Sequence, residues 1–196
     1  RFYYDKSSSI LIASGDSVAF FKDKNISINS DKFIYNKNLQ NLDSIGNVII
    51  NHLSKNVILK SNKIFYDIEK EKISSETKST INDSMENLFI AENFILTLNN
   101  NLIKLNKVKV TDFQKNILEI DKAYINLRSN KLIGKDVSID FNEQYFQKNN
   151  EPRLKGTTVS SDFDNTVVKN GIFTTCKKRD DCPPWQFSAK EIKHDK

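Results

Sequence analysis

Apolar and polar residues alternate in short runs along most of this chain. Examples are Ile26-Ser27-Ile28-Asn29, Lys107-Val108-Lys109-Val110, Leu118-Glu119-Ile120-Asp121, Tyr124-Ile125-Asn126-Leu127 and Val137-Ser138-Ile139-Asp140-Phe141. A period of two puts alternate side chains on one face of a strand, and the β-branched and aromatic residues that dominate the runs suit that conformation. Between the runs lie clusters such as Lys22-Asp23-Lys24-Asn25, Asn99-Asn100-Asn101 and Ser129-Asn130-Lys131. Asn and Asp tolerate positive φ and bond their own backbone, so these clusters read as turns. No apolar stripe of helical spacing stands out. The polar segment 71–86 reads as a loop or a short helix. The pattern predicts an all-β domain of many short strands joined by hairpins.

The alternation repeats on a larger scale. Gly15 and Gly46 lie 31 residues apart, and the segments that follow them align without a gap. Identical pairs are Lys24/Lys55, Asn25/Asn56, Ser30/Ser61, Lys32/Lys63 and Tyr35/Tyr66, and apolar pairs include Ile26/Val57, Ile28/Leu59, Phe33/Ile64 and Leu42/Ile73. A weaker copy starts at Lys115 and is followed by Gly134-Lys135-Asp136-Val137-Ser138-Ile139, which echoes the segment after Gly46. Each unit reads as strand, turn, strand, bend, strand, Gly. A repeat of this size is one supersecondary unit stacked on its neighbours. Parallel β-helices use shorter rungs and more glycine than the five here. Two facing antiparallel sheets fit better. Tyr35 and Tyr66, at equivalent positions, read as structural.

Composition narrows the class. A chain of 196 residues is one domain, or one with a short appendage, and long enough to bury a core. The net charge of +5 comes from lysines scattered every few residues. That distribution keeps a sheet protein soluble and its edges unpaired, and it also suits a polyanionic partner. There is no arginine–aromatic RNA-binding motif and no basic helix, so nucleic acid is not indicated. No run of 18 apolar residues and no signal peptide are present. The opening Arg1-Phe2-Tyr3-Tyr4, without Met, reads as a mature or trimmed fragment.

The unusual residues gather at one end. Residues 174–195 hold both cysteines, two of the three prolines and the single tryptophan. Zinc would need four ligands, yet Cys176 and Cys182 have only His194 nearby, and His52 is far away in the repeat. Lys177, Lys178 and Arg179 would lower a thiolate pKa, but no base accompanies the thiols. His194-Asp195 has no nucleophile motif, and neighbouring residues of a strand point to opposite faces. Asp162 and Asp164 solvate a loop on this reading. No metal, cofactor or catalytic group emerges, and the chain does not read as an enzyme. Pro183 and Pro184 hold an extended approach to Trp185, which serves as an anchor against the sandwich or a partner.

Two features carry a resemblance. Gly46-Asn47-Val48-Ile49-Ile50, then Leu59-Lys60-Ser61, then Tyr66-Asp67, resembles the OstA-like repeat of the lipopolysaccharide-transport proteins. The positions Gly171, Thr175, Cys176, Cys182, Pro184, Trp185, Ala189, Ile192, His194 and Asp195 look like the segment of the LptD family of outer-membrane lipopolysaccharide-assembly proteins in which the periplasmic domain hands over to the barrel. The resemblance implies a β-jellyroll: two antiparallel sheets in a V around an open apolar slot that takes lipid A acyl chains. Residues 1–165 would be that periplasmic domain, and 166–196 a cysteine/tryptophan junction toward an outer-membrane barrel, with Pro184 and Trp185 as its anchor. The slot lining expected is Ile26, Ile28, Val48, Ile50, Val57, Leu59, Val108, Val110, Leu118, Ile120, Ile125, Leu127, Val137 and Ile139. Implied partners are lipopolysaccharide, an LptA-like bridge protein by edge-strand pairing, with residues 10–13 as the candidate edge, and an LptE-like plug lipoprotein. The implied place is the periplasmic face of the outer membrane.

The family's better-known disulfides join this domain to barrel cysteines. Here Cys176 and Cys182 are six positions apart, and loop geometry favours a local bridge worth roughly 2 kcal/mol in the chain-entropy model. Pairing of each with a barrel cysteine stays open. Two further functions remain. One is the periplasmic bridge protein of the same transport system. The other is a β-sandwich that binds glycan or protein, with exposed aromatic platforms and an interior filled by its own side chains.

Overall fold

The computed structural model describes residues 1–148, 150–178 and 184–196. It is one antiparallel sheet of 14 strands, strung almost entirely in sequence order. The strands are β1 (Phe2–Asp5), β2 (Ile10–Phe21), β3 (Ile26–Asn36), β4 (Asn41–His52), β5 (Val57–Asp67), β6 (Lys72–Ser75), β7 (Ser79–Asn82), β8 (Leu88–Thr97), β9 (Leu102–Thr111), β10 (Ile117–Asn126), β11 (Lys131–Asp140), β12 (Arg153–Ser161), β13 (Asn165–Thr174) and β14 (Phe187–Asp195). The all-β, hairpin-joined architecture matches the alternation read from the sequence. The segment 71–86 departs from expectation. It holds two short strands, β6 and β7, which together play the part of one long strand between β5 and β8. Buried Ile73 and Ile81 supply its alternation, and Ser and Thr hide it from a hydropathy reading.

A transverse crease crosses the sheet. On β3, inward Ile26 and Ile28 occupy even positions, whereas inward Phe33 and Tyr35 occupy odd ones. The same slip of phase separates Val57 and Leu59 from Ile64 and Tyr66, and Leu118 and Ile120 from Ala123 and Ile125. At the slip the register skips and a strand residue takes positive φ: Gly15, Asp16, Gly46, Asn47, Lys107, Asp136 and Asn170. A bulge of this kind bends a strand and strengthens its twist. Each long strand therefore contributes one half to each of two leaves. The leaves fold over one another, and their inward side chains merge into a single cluster. This explains the repeat: the 31 residues from Gly15 to Gly46 run from one crease position to the next, through one leaf and back through the other.

The crease interrupts the ladder, so its backbone groups need other partners. Ser30 Oγ donates to the carbonyls of Lys32 and Ile45 at 2.8 and 2.9 Å and accepts from their N–H groups. Ser61, the equivalent residue one repeat on, joins Ser75, Thr77 and Ser79 in a hydroxyl cluster. The turns have their own logic. Asn25, Asn56, Asn101 and Asn130 all sit in the left-handed region, with φ between 51° and 54°. Gly134 fills a different role from Gly46, whose φ is +81°. A Cβ on Gly134 would lie 2.6 Å from Ile120 Cγ2, so this glycine lets strands pack closely.

The residues past 165 add β13 and β14 to the same sheet, in register with β12. Residues 10–13 are flanked on both sides, by β1 and by β3, and so are not an open pairing edge. The reason is the turn after β1, where Asp5 accepts from Ser7 Oγ and Ser8 Oγ, both at 2.7 Å, and brings residues 2–5 back onto β2. Among the described residues, the sides without a partner strand are the outer side of β1, the 17–21 half of β2 and the outer side of β14.

Candidate functional site

The fourteen expected lining residues all point between the leaves, and none is more than 4% exposed. They are packed against one another and against residues the sequence reading left out: Phe89, Phe94, Leu96, Ile103 and Leu105, each at most 2% exposed. Burying each such side chain stabilises the fold by about 1.5–3 kcal/mol, which accounts for a tightly filled middle.

The interior opens at the N-terminal end of the sheet. Beside β2 and β3 lies an apolar cleft of about 410 Å³, lined by Leu11, Ala13, Ala19, Phe33, Leu42 and Ile68 among others. Phe21 and Tyr35 complete its wall, and Phe2, Val18 and Phe20 stand at its entrance, 80%, 61% and 53% exposed. None of the fourteen expected residues lines it. The sequence did hold a signal for it: β2 reads Ile10-Leu11-Ile12-Ala13 and Val18-Ala19-Phe20-Phe21, apolar on both faces in each half. The cleft is continuous with the buried cluster, because Ala13, Phe33 and Leu42 belong to both.

Along the free rim, turns of one leaf meet turns of the other. Lys24 pairs with Glu71. Phe21 meets Tyr66 edge-on, with ring centroids 4.8 Å apart. Burial and the Glu71 charge together push the Tyr66 hydroxyl up to about 12. Asn101 lies beside His52, and burial moves the His52 imidazole below its ordinary pKa despite that neighbour. Phe113 stacks on Phe163 at 6.1 Å, with Lys196 Nζ 5.7 Å above the Phe113 ring. Lys196 Nζ also donates to the Asp162 carbonyl at 2.6 Å, and burial lowers its pKa despite the charges of Asp112, Asp162 and Asp83. Phe141 lies 4.9 Å from His194, whose pKa burial also lowers.

The C-terminal stretch is organised around a carbonyl. Trp185 O accepts from Thr174 Oγ1 at 2.8 Å and from Cys176 Sγ at 3.7 Å. The Arg153 guanidinium donates to the Cys176 carbonyl. The Trp185 ring packs on Phe187 and Phe173 at 5.4 and 6.5 Å and stays 43% exposed. Pro184 is exposed. Cys182 lies outside the described residues, and so does the expected bridge to Cys176. Among the described residues no group of three or more His, Cys, Asp or Glu side chains could hold a metal ion. His194 and Asp195 follow one another on β14, half-buried and exposed respectively.

No protein-family model matches the chain, and neither does any curated protein. Among solved structures the chain is similar to LptH of Pseudomonas aeruginosa, described as the LptA homologous periplasmic component of the conserved lipopolysaccharide transport device. The likeness covers 68% of this chain and 86% of that one, at 13% identity and a TM-score of 0.42.

Proposed function

We propose that this domain carries lipopolysaccharide, with acyl chains held in the apolar cleft and drawn between the leaves. The observation that carries the proposal is the cleft itself: about 410 Å³ of apolar space, open to solvent and continuous with an apolar interior that runs the length of the sheet. Scattered lysines outside it favour a phosphorylated head group electrostatically. No chemical step is involved, and the chain acts as a carrier. The OstA-like repeat and the C-terminal positions that resemble the LptD family support the finer reading. In that reading the domain stands at the periplasmic face of the outer membrane. It receives lipopolysaccharide from an LptA-like bridge protein and delivers it, through the 166–196 junction, to a barrel plugged by an LptE-like lipoprotein. The bridge protein of the same system is the alternative within the class.

A photoreactive phenylalanine analogue at Phe21 or Tyr35 tests the proposal. Irradiation with lipopolysaccharide should give adducts at both positions and none at exposed Lys60. Silence at both, in folded protein, would sink it.

A second reading has its own support. The middle of the sandwich is filled by its own side chains, and Phe2, Tyr3, Tyr4 and Phe187 are 47–80% exposed at the two ends. A module that binds protein or glycan through those ends would look the same there. Silence at Phe21 and Tyr35 would favour it.

A further inference from the structure

At the N-terminal end, the tie across the rim lies directly beside open apolar space. Turn 22–25 belongs to one leaf and turn 68–71 to the other. Phe21 and Ile68, which lead into these turns, line the cleft from opposite sides. The backbone of each turn is bound within its own leaf. Leu53 N donates to Asn25 O at 2.9 Å, Ile68 N to Gln40 O at 3.0 Å and Leu98 N to Glu71 O at 2.9 Å. What crosses between the turns is side chains: the Lys24–Glu71 ion pair, with Phe21 against Tyr66 behind it. The Lys24 and Glu71 side chains are 34% and 29% exposed, so water and salt reach the pair. Partly exposed pairs are weak and are screened over about 10 Å at 0.1 M salt. Further along the rim the leaves are held by packed rings and by Lys196, over tightly buried side chains such as Phe89 and Leu118.

We infer that the Lys24–Glu71 pair is a latch on the mouth of the cleft. Closed, it holds turns 22–25 and 68–71 together and keeps the mouth narrow. Broken or screened, it lets the two leaf edges separate there, while the rest of the rim stays shut. The separation is that of two hairpin tips hinged at the crease, where positive-φ residues already bend the strands. The use of the widened mouth, to admit an extended apolar chain, rests on the function proposed above. The movement itself does not.

The test reads the mouth without a ligand. Spin labels are placed on exposed Asp23 and Glu69, in protein with Cys176 and Cys182 replaced by serine, and the distance distribution between them is measured by pulsed electron paramagnetic resonance. At low salt a single short distance is expected. Raising salt to 1 M should shift the distribution to longer distances. Glu71→Gln should show the long distances already at low salt and then ignore salt. The exchange Lys24→Glu with Glu71→Lys should restore the short one. Circular dichroism melting checks that each variant is folded, and the salt series on the parent needs no charge substitution. A distribution unmoved both by salt and by Glu71→Gln overturns the latch. Binding of the neutral dye N-phenyl-1-naphthylamine separates the two ideas. If the mouth widens and Glu71→Gln binds the dye more tightly than the parent, both stand. If the mouth widens but no form of the protein takes up dye, the latch stands and the lipid reading falls.

Discussion

The N-terminal end and the middle of this sandwich are built from the same repeat yet treat their interior differently. From β5 to β11 the inward residues pack against one another, and Leu59, Ile64, Phe94 and Ile103 are at most 1% exposed. At β2 the inward positions are Leu11, Ala13, Ser17, Ala19 and Phe21, smaller on the whole, and among the described residues no further strand continues the leaf beyond 17–21. The chain uses one backbone plan for both. A filled interior and an open cleft differ here by side-chain volume and by one missing neighbour. Apolar lining alone therefore does not mark a ligand site. What marks one is apolar lining that the protein does not itself cover.

The largest effects should fall on the filled side. Leu59→Ala should cost about 2–5 kcal/mol, read as a lowered urea midpoint at unchanged slope, because its surroundings cannot collapse into the hole. Leu11→Ala, in the cleft wall, should cost well under half as much. Equal losses would mean that the cleft is as well packed as the middle and would break the comparison. A smaller effect separates two glycines. Gly134→Ala would force Ile120 and Val159 aside and should cost about 1–3 kcal/mol. Gly15→Ala meets nothing within 4 Å, so its cost is the strain of φ +88° alone, about 1–2 kcal/mol. Ser30→Ala should cost about 1–3 kcal/mol by stripping the crease of its donor and acceptor. The smallest effect is a pH dependence. His52 and His194 are held below their ordinary pKa by burial. The unfolded chain thus binds protons that the native one refuses. Their contribution is fully present above about pH 6.5 and is lost as pH falls through the lower native values. The melting temperature should drop between pH 7.5 and 5.5, and His52→Gln should flatten that slope.

Much of the fold was legible because alternation is a local property. The strand runs at 26–29, 107–110, 118–121, 124–127 and 137–141 all lie in strands, or run at most one residue past them. The fourteen residues named as lining all face inward. Two things were harder to see. Segment 71–86 hides its strands because Ser75 and Ser79 are buried polar residues, satisfied by a hydroxyl cluster that only the fold assembles. The cleft was missed because whether an inward residue is covered depends on the opposite leaf, which is distant in sequence. The crease was readable in retrospect. A slip from even to odd apolar positions within one strand, as from Ile28 to Phe33, says that the strand bends so that both halves face the same interior.

That crease has a consequence for how such a domain can change. Each pair of strands spans both leaves, so the unit from one crease glycine to the next is a complete slice of the molecule, wall, floor and wall. Duplicating or deleting 31 residues in register would lengthen or shorten the whole body by two strand spacings, roughly 9.5 Å, without redesigning either end. Length is thus a modular variable in this architecture, set by the number of slices and independent of how either end is built.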